Sequence, residues 1–166
     1  MDRKKIQKIG ELREIIARLK ARRKKIVFTN GCFDILHVGH IRYLQKAKHL
    51  GDILVVGLNT DRSVREIKGE KRPIVPQEDR AEVLAALGCV DYVVFFNEPD
   101  PFALIDKIKP TILVKGADWS KDKIIGRDVV ERAGGKVVRI PLVPGASSTG
   151  LIERVIQIYC RKKAPG

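Results

Sequence analysis

Two histidines three residues apart, His37 and His40, flank Gly39 in the segment Thr29-Asn30-Gly31-Cys32-Phe33-Asp34-Ile35-Leu36-His37-Val38-Gly39-His40. The segment leaves an apolar run and enters a helical one, so both imidazoles fall on an opening helical turn and project to one side. A helix start offers unpaired backbone N–H groups and the positive end of the helix dipole, which together attract anions. Gly39 removes a side chain where a phosphate must come close to the backbone. Convergence of two imidazole donors on one anion predicts a polyphosphate site, with His37 and His40 stabilising charge as it moves.

Other residues could serve the same anion. Lys68 and Arg72, on the loop after the second strand and its helix, pair a flexible cation with a forked one and could close over phosphates; ordinary surface charge is the plainer alternative. Pro144-Gly145-Ala146-Ser147-Ser148-Thr149 leads from a loop into a helix. One hydroxyl there is explained by capping alone, whereas three in succession fit a second phosphate-binding helix start. Lys115-Gly116-Ala117-Asp118 follows another apolar run. Gly116 would let a base approach the backbone, and Asp118 could accept from an exocyclic amine of adenine or cytosine. Zinc on Cys32, His37 and His40 is disfavoured because no fourth Cys or His lies at a usual spacing, so no metal ligand is assigned. Cys32 as a nucleophile lacks a base other than those histidines.

These residues need a frame that brings them together. From residue 25 onward, β-branched runs near 25–30, 53–58, 91–95, 111–115 and 136–140 alternate with helical stretches near 39–50, 61–67, 77–87, 100–108, 125–134 and 148–160. That alternation predicts an α/β fold, a doubly wound, Rossmann-like sheet of five parallel strands. Runs such as Ile53-Leu54-Val55-Val56 are apolar without alternation, as expected when helices cover both faces. In such sheets ligands bind beyond the carboxyl ends of the strands, where the H-x-G-H segment and Lys115 to Asp118 fall. A dehydrogenase-type dinucleotide site is disfavoured, since no G-x-G-x-x-G follows the first strand.

A chain of 166 residues with 44% hydrophobic residues can bury one core without staples. Cys32, Cys89 and Cys160 form no C-x-x-C pair, the N-terminus is basic instead of signal-like, and no apolar run could span a bilayer. A cytoplasmic protein without membrane contact is expected. The net charge of +13 is concentrated at the ends: residues 1–25 hold 11 Lys/Arg against 3 Asp/Glu, and Arg161, Lys162 and Lys163 add three more. A basic arm on a near-neutral domain is a weak nucleic-acid signal, and no nucleic-acid partner is expected. Ile6, Ile9, Leu12, Ile15, Ile16 and Leu19 form an apolar stripe. Residues 1–24 are therefore expected to be a basic amphipathic helix ahead of a domain spanning 25–166, its stripe covering either that domain or a second subunit. Removing residues 1–22 would abolish RNA affinity in a binding module and leave the chemistry of an enzyme standing.

With its H-x-G-H motif, the chain resembles the cytidylyltransferase-like family of nucleotidylyltransferases. The likeness runs on through Arg42 to Gly51, Val55 to Asp61, Arg80, Lys115 to Asp118 and Ser147-Ser148-Thr149. Asn30 to Asp34, Lys68-Gly69-Glu70-Lys71-Arg72-Pro73 and Leu113-Val114-Lys115-Gly116 resemble the adenylyltransferase half of bifunctional heptose kinase/adenylyltransferases in particular. The resemblance implies transfer of AMP from ATP to a sugar 1-phosphate such as D-glycero-D-manno-heptose 1-phosphate, yielding ADP-heptose for lipopolysaccharide. ATP is then a substrate, Mg²⁺ its counterion, a separate sugar kinase the upstream partner, and a homodimer the expected assembly. It also implies catalytic roles for His37, His40 and Lys68. Cys32, Phe33, Gly39, Arg72, Gly116, Asp118, Ser147, Ser148 and Thr149 would meet the nucleotide, and Asn30, Asp34 and Arg80 the acceptor. An Arg that many members carry before the Ser/Thr segment is replaced here by Leu142 and Val143. Alternatives within the same chemistry are CTP as donor, or glycerol 3-phosphate, phosphoethanolamine or flavin mononucleotide as acceptor. The alternative of another class is a nucleotide- or RNA-binding module without chemistry.

Overall fold

The computed structural model describes residues 3–160, so the Arg161-Lys162-Lys163 cluster lies outside the described residues. Five strands, β1 (Ile26–Gly31), β2 (Ile53–Asn59), β3 (Tyr92–Phe96), β4 (Ile112–Gly116) and β5 (Lys136–Ile140), form one sheet in the order β3-β2-β1-β4-β5. Every neighbouring pair is parallel. Helices α1 (Ile9–Ala21), α2 (Val38–Lys48), α3 (Asp61–Lys68), α4 (Gln77–Ala86), α5 (Phe102–Ile108), α6 (Arg127–Arg132) and α7 (Ser148–Tyr159) join or flank them. The doubly wound, Rossmann-like α/β fold expected from the alternation of runs is the one observed.

Strand periodicity sorts the core into two layers. Val27, Leu54, Val56 and Val114 pack with Leu44 of α2 and Leu84 of α4. Ile26, Phe28, Val55 and Leu113 pack on the other face with Leu12 and Ile16 of α1, Ile105 and Ile108 of α5 and Val130 of α6. The apolar stripe of the N-terminal helix thus covers the chain's own sheet. Burying Leu12 and Ile16 stabilises the domain by roughly 1.5–3 kcal/mol each. Removal of residues 1–22 would therefore unfold part of the core, which corrects the expectation that chemistry survives it.

The helix is also shorter than the expected 1–24. Ile6 bridges Val93 and the Gln7 N–H donates to the Val93 carbonyl at 2.9 Å, so the chain first pairs with the open edge of β3 and turns helical only at Ile9. Near the other end, Gly126 and Gly134, both at positive φ, confine α6 to six residues, shorter than the expected 125–134. Helix α7 contributes no buried residue and presents Leu151, Val155 and Ile158 to solvent.

Between β1 and β2 the ladder runs the full length from Ile26↔Ile53 to Gly31↔Leu58. Between β1 and β4 it comprises only Val27↔Ile112 and Phe28↔Leu113. The order reverses at this pair, and beyond Phe28 the two strands no longer ladder. A crevice at such a reversal is where open α/β sheets bind ligands.

Candidate active site

Beyond the crevice lies a cleft of about 500 Å³. It gathers all but one of the site residues expected from the sequence: Asn30, Cys32, Phe33, Asp34, His37, Gly39, His40, Lys68, Arg72, Gly116, Asp118 and the Ser147-Ser148-Thr149 segment line it together.

The histidines stand at the start of α2. His37 is its N-cap, in extended backbone, and its Nδ1 accepts from the Gly39 N–H at 3.1 Å. That bond leaves the proton of neutral His37 on Nε2, a donor not consumed by the cap. The His40 ring stacks on that of His37 with centroids 3.9 Å apart and planes 23° apart. Phe33, turned into the left-handed region at φ 44°, meets His40 edge-on at 5.2 Å. Burial lowers the pKa of both imidazoles; His40, further opposed by His37, falls to about 4. Its Nδ1 is buried without a hydrogen-bond partner. A Cβ on Gly39 would come within 2.9 Å of the His37 ring and 3.0 Å of the Ala146 Cβ, so glycine is what lets the α7 approach close over α2.

Across this gap Ser147 caps α7, accepting from the Gly150 N–H at 3.0 Å, and the Ser148 hydroxyl donates to the Ile35 carbonyl at 3.0 Å. Two of the three hydroxyls thus hold the loop and helix in place, and Thr149 is exposed. Two helix starts therefore face one cleft, each carrying its dipole's positive end.

Asp34 is almost fully buried, and both its oxygens are engaged. Oδ1 accepts from the N–H groups of Ile74 and Val75, each at 2.8 Å, and Oδ2 from Arg72 Nε at 2.5 Å. The carboxylate thereby fastens the loop that carries Arg72 to the end of β1, while Lys68 reaches the cleft exposed at the end of α3. Burial raises the Cys32 thiol's pKa, outweighing the nearby Lys68 and Arg80 cations. A Cβ on Gly116 would run into the Asp118 carboxylate, so the two form one compact turn beside Leu142.

Arg80 is the exception. Expected at the acceptor, it is sealed behind the cleft wall, 1% exposed, with its donors spent on the carbonyls of Val75, Cys32 and Asn59 and on the Asp61 carboxylate. A buried guanidinium needs that many acceptors, and these come from just past β1, the end of β2 and the loop ahead of α4, so Arg80 binds the frame and not a ligand.

Lys115, Asn59, Tyr43 and Trp119 line the cleft without having been assigned a role. A polar residue closing an apolar strand run, as in Ile112-Leu113-Val114-Lys115 and Leu58-Asn59, was the signal available. Among the described residues no group of three or more His, Cys, Asp or Glu is placed to hold a metal ion, and no helix is long and apolar enough to cross a membrane.

A model of the family described as cytidylyltransferase-like matches residues 28–154. The bifunctional protein HldE of Geobacter metallireducens is 54% identical over 155 residues, covering 93% of this chain and 32% of that protein. The HldE protein of Citrifermentans bemidjiense is 56% identical over the same coverage. The chain thus spans about a third of the length of the curated relatives it matches. Among solved structures, the lipopolysaccharide core biosynthesis protein from Thermoplasma volcanium aligns with a TM-score of 0.60 and 32% identity over 72% of this chain and 97% of that one. The pantoate-beta-alanine ligase from Francisella tularensis, at TM-score 0.62 and 19% identity over 95% of this chain and 79% of its own, shares the fold.

Proposed function

The chain belongs to the cytidylyltransferase-like family of nucleotidyltransferases, and from that premise we propose that it transfers AMP from ATP to D-glycero-D-manno-heptose 1-phosphate, releasing pyrophosphate and ADP-heptose. One observation carries the reading: the stacked His37 and His40 at the start of α2 face the Ser147 cap of α7 across a single cleft at the β1/β4 crevice. The kinship with HldE and with a lipopolysaccharide core biosynthesis protein favours the sugar phosphate and the adenine nucleotide.

A phosphomonoester is ionised near neutrality, its second pKa being about 6, so the attacking oxygen needs no general base. That oxygen bonds to the α-phosphorus as the bond to the bridging oxygen breaks and the electron pair leaves with pyrophosphate. His37 Nε2–H and the His40 ring are the donors for charge building on the α- and β-phosphates; a preorganised donor stabilises that charge without reorganising. Lys68 and Arg72 hold the departing pyrophosphate, Thr149 offers a hydroxyl to the same oxygens, and the Gly116–Asp118 turn receives the base. Magnesium accompanies ATP as its counterion, for both Asp34 oxygens are engaged and few protein ligands are needed when phosphates hold the ion.

A sugar kinase activity supplies the acceptor, and the reaction runs in the cytoplasm. The α1 stripe is used up in the chain's own core, so a homodimer would draw instead on the exposed apolar side of α7. A panel of acceptors, namely heptose 1-phosphate, glycerol 3-phosphate, phosphoethanolamine and flavin mononucleotide, offered with ATP or CTP and scored by pyrophosphate release, tests the reading. ATP with heptose 1-phosphate is expected to turn over fastest. No product from any pair would remove the enzyme reading altogether.

A further inference from the structure

The cleft has two halves on opposite faces of the sheet edge. His37, His40 and Tyr43 belong to α2; the Tyr43 hydroxyl lies 2.8 Å from Thr29 Oγ1, on the β1 face shared with Val27. Asn30 and Lys115 continue the other face, two residues beyond Phe28 and Leu113 in the core beneath α1, α5 and α6. Where β1 and β4 cease to ladder, a hydrogen bond from Lys115 Nζ to Asn30 Oδ1 spans the gap between them. Trp119 lies over the amine, 5.6 Å from ring centroid to Nζ, and Pro101 and Ile125 line the cleft as well.

Lys115 is 9% exposed, yet among the described residues it has no ion pair with a carboxylate. One neutral oxygen and one ring face under-compensate a buried ammonium. Burial brings its pKa down to about 8 although Asp118 pulls the other way. The strain would be relieved by an anion in the cleft. A nucleotide's phosphates already have two helix starts, two imidazoles, Lys68 and Arg72. The second reactant is anionic too, and its phosphate must lie against the α-phosphorus despite like charge.

We propose that Lys115, steadied by Asn30, anchors the phosphate of the acceptor substrate in the half of the cleft on the α5 face, apart from the histidines that hold the nucleotide. This rests on the nucleotidyl-transfer reading for the acceptor's class, a small sugar phosphate. The ammonium keeps its three protons throughout and offsets repulsion between the two polyanions, while the Asn30 amide N–H groups are free to meet a sugar hydroxyl.

Lys115→Met and Lys115→Arg test it in steady-state assays with ATP and heptose 1-phosphate. K115M is expected to raise the acceptor KM on the order of 100-fold, as loss of one partner of a buried charge contact does, with the ATP KM changed less than about threefold. K115R should recover part of the loss. An unchanged acceptor KM, or an equal rise for ATP, overturns the assignment. A second measurement needs neither turnover nor a folded variant: the Lys115 ammonium of the wild-type chain is titrated by NMR alone, with heptose 1-phosphate, and with a non-hydrolysable ATP analogue. Its midpoint should rise by about one unit or more with the sugar phosphate and less with the analogue. If the wild type transfers nucleotide to no acceptor but the sugar phosphate still shifts Lys115, the anchor stands and the proposed activity falls. If transfer is brisk and neither readout moves, the activity stands and the anchor falls.

Discussion

Arg72 Nε donates to Asp34 Oδ2 at 2.5 Å, and the same carboxylate accepts from the N–H groups of Ile74 and Val75. A cation expected to meet phosphates is thus seated by an acid that the family resemblance placed at the acceptor. Arg72 Nε is spent on the seat, and the residue lines the cleft.

Asp34→Asn keeps the shape and removes the charge. It should cost on the order of 3 kcal/mol in urea unfolding, since it unpairs a largely buried arginine, and raise the ATP KM as the loop loosens. Burial pushes the Asp34 carboxyl up, but the bonds from Val75, Ile74 and Arg72 outweigh it and leave the pKa below its ordinary value. The stability it contributes is complete above the ordinary carboxylate pKa and is lost as pH falls through the lowered one. The acid limb of wild-type stability should flatten in D34N; an identical limb would show that the carboxylate is not the group responsible.

His40 gives a second pH signature. Its folded pKa, about 4 through burial and then His37, lies below the unfolded value near 6.5, so the folded state favours the neutral ring. Stability is full above the unfolded pKa and declines as pH drops from 6.5 toward 4, by roughly 2 kcal/mol after allowance for partial exposure. Thermal melts of the wild type and His40→Asn across that window should diverge. A bound ATP analogue, which favours the protonated rings, should shrink the decline. His40→Ala should lower turnover on the order of 100-fold in pyrophosphate release, as removal of one preorganised donor does.

Gly39→Ala asks whether the spacing between α2 and α7 matters. The added methyl meets the His37 ring at 2.9 Å and Ala146 at 3.0 Å, and His37 cannot swing away without losing its bond to the Gly39 N–H. A stability loss of about 1–3 kcal/mol, with turnover reduced more than melting would account for, is expected. Wild-type turnover in G39A would mean that the two helix starts need not approach so closely.

Arg80→Met separates frame from ligand. The variant strands the carbonyls of Val75, Cys32 and Asn59 and the Asp61 carboxylate, so unfolding free energy should fall by about 3–5 kcal/mol. At a temperature where it stays folded, its acceptor KM should match the wild type within about twofold, because Arg80 is 1% exposed behind the wall. A large rise in acceptor KM without loss of stability would return Arg80 to the substrate.

The sequence by itself determined the strands, their order of appearance and the segment that opens the site. Unbroken apolar runs such as Ile53 to Val56 have only one comfortable environment, between two helical layers, and a glycine-bearing H-x-G-H after such a run has few uses besides an anion. Local chemistry sufficed there because each signal lies within a dozen neighbouring residues. What only the tertiary structure decided involves partners far apart in the chain. Arg80 and Lys115 are both cations near predicted strand or helix ends, yet one meets four oxygens from three segments and the other a single amide across the β1/β4 gap. The destination of the α1 stripe was likewise settled by packing: Leu12 and Ile16 could cover any apolar surface, and the sheet face left open between α5 and β3 is the one they found. Burial and long-range partners fix what a charge costs, and neither is written in the spacing of residues along one element.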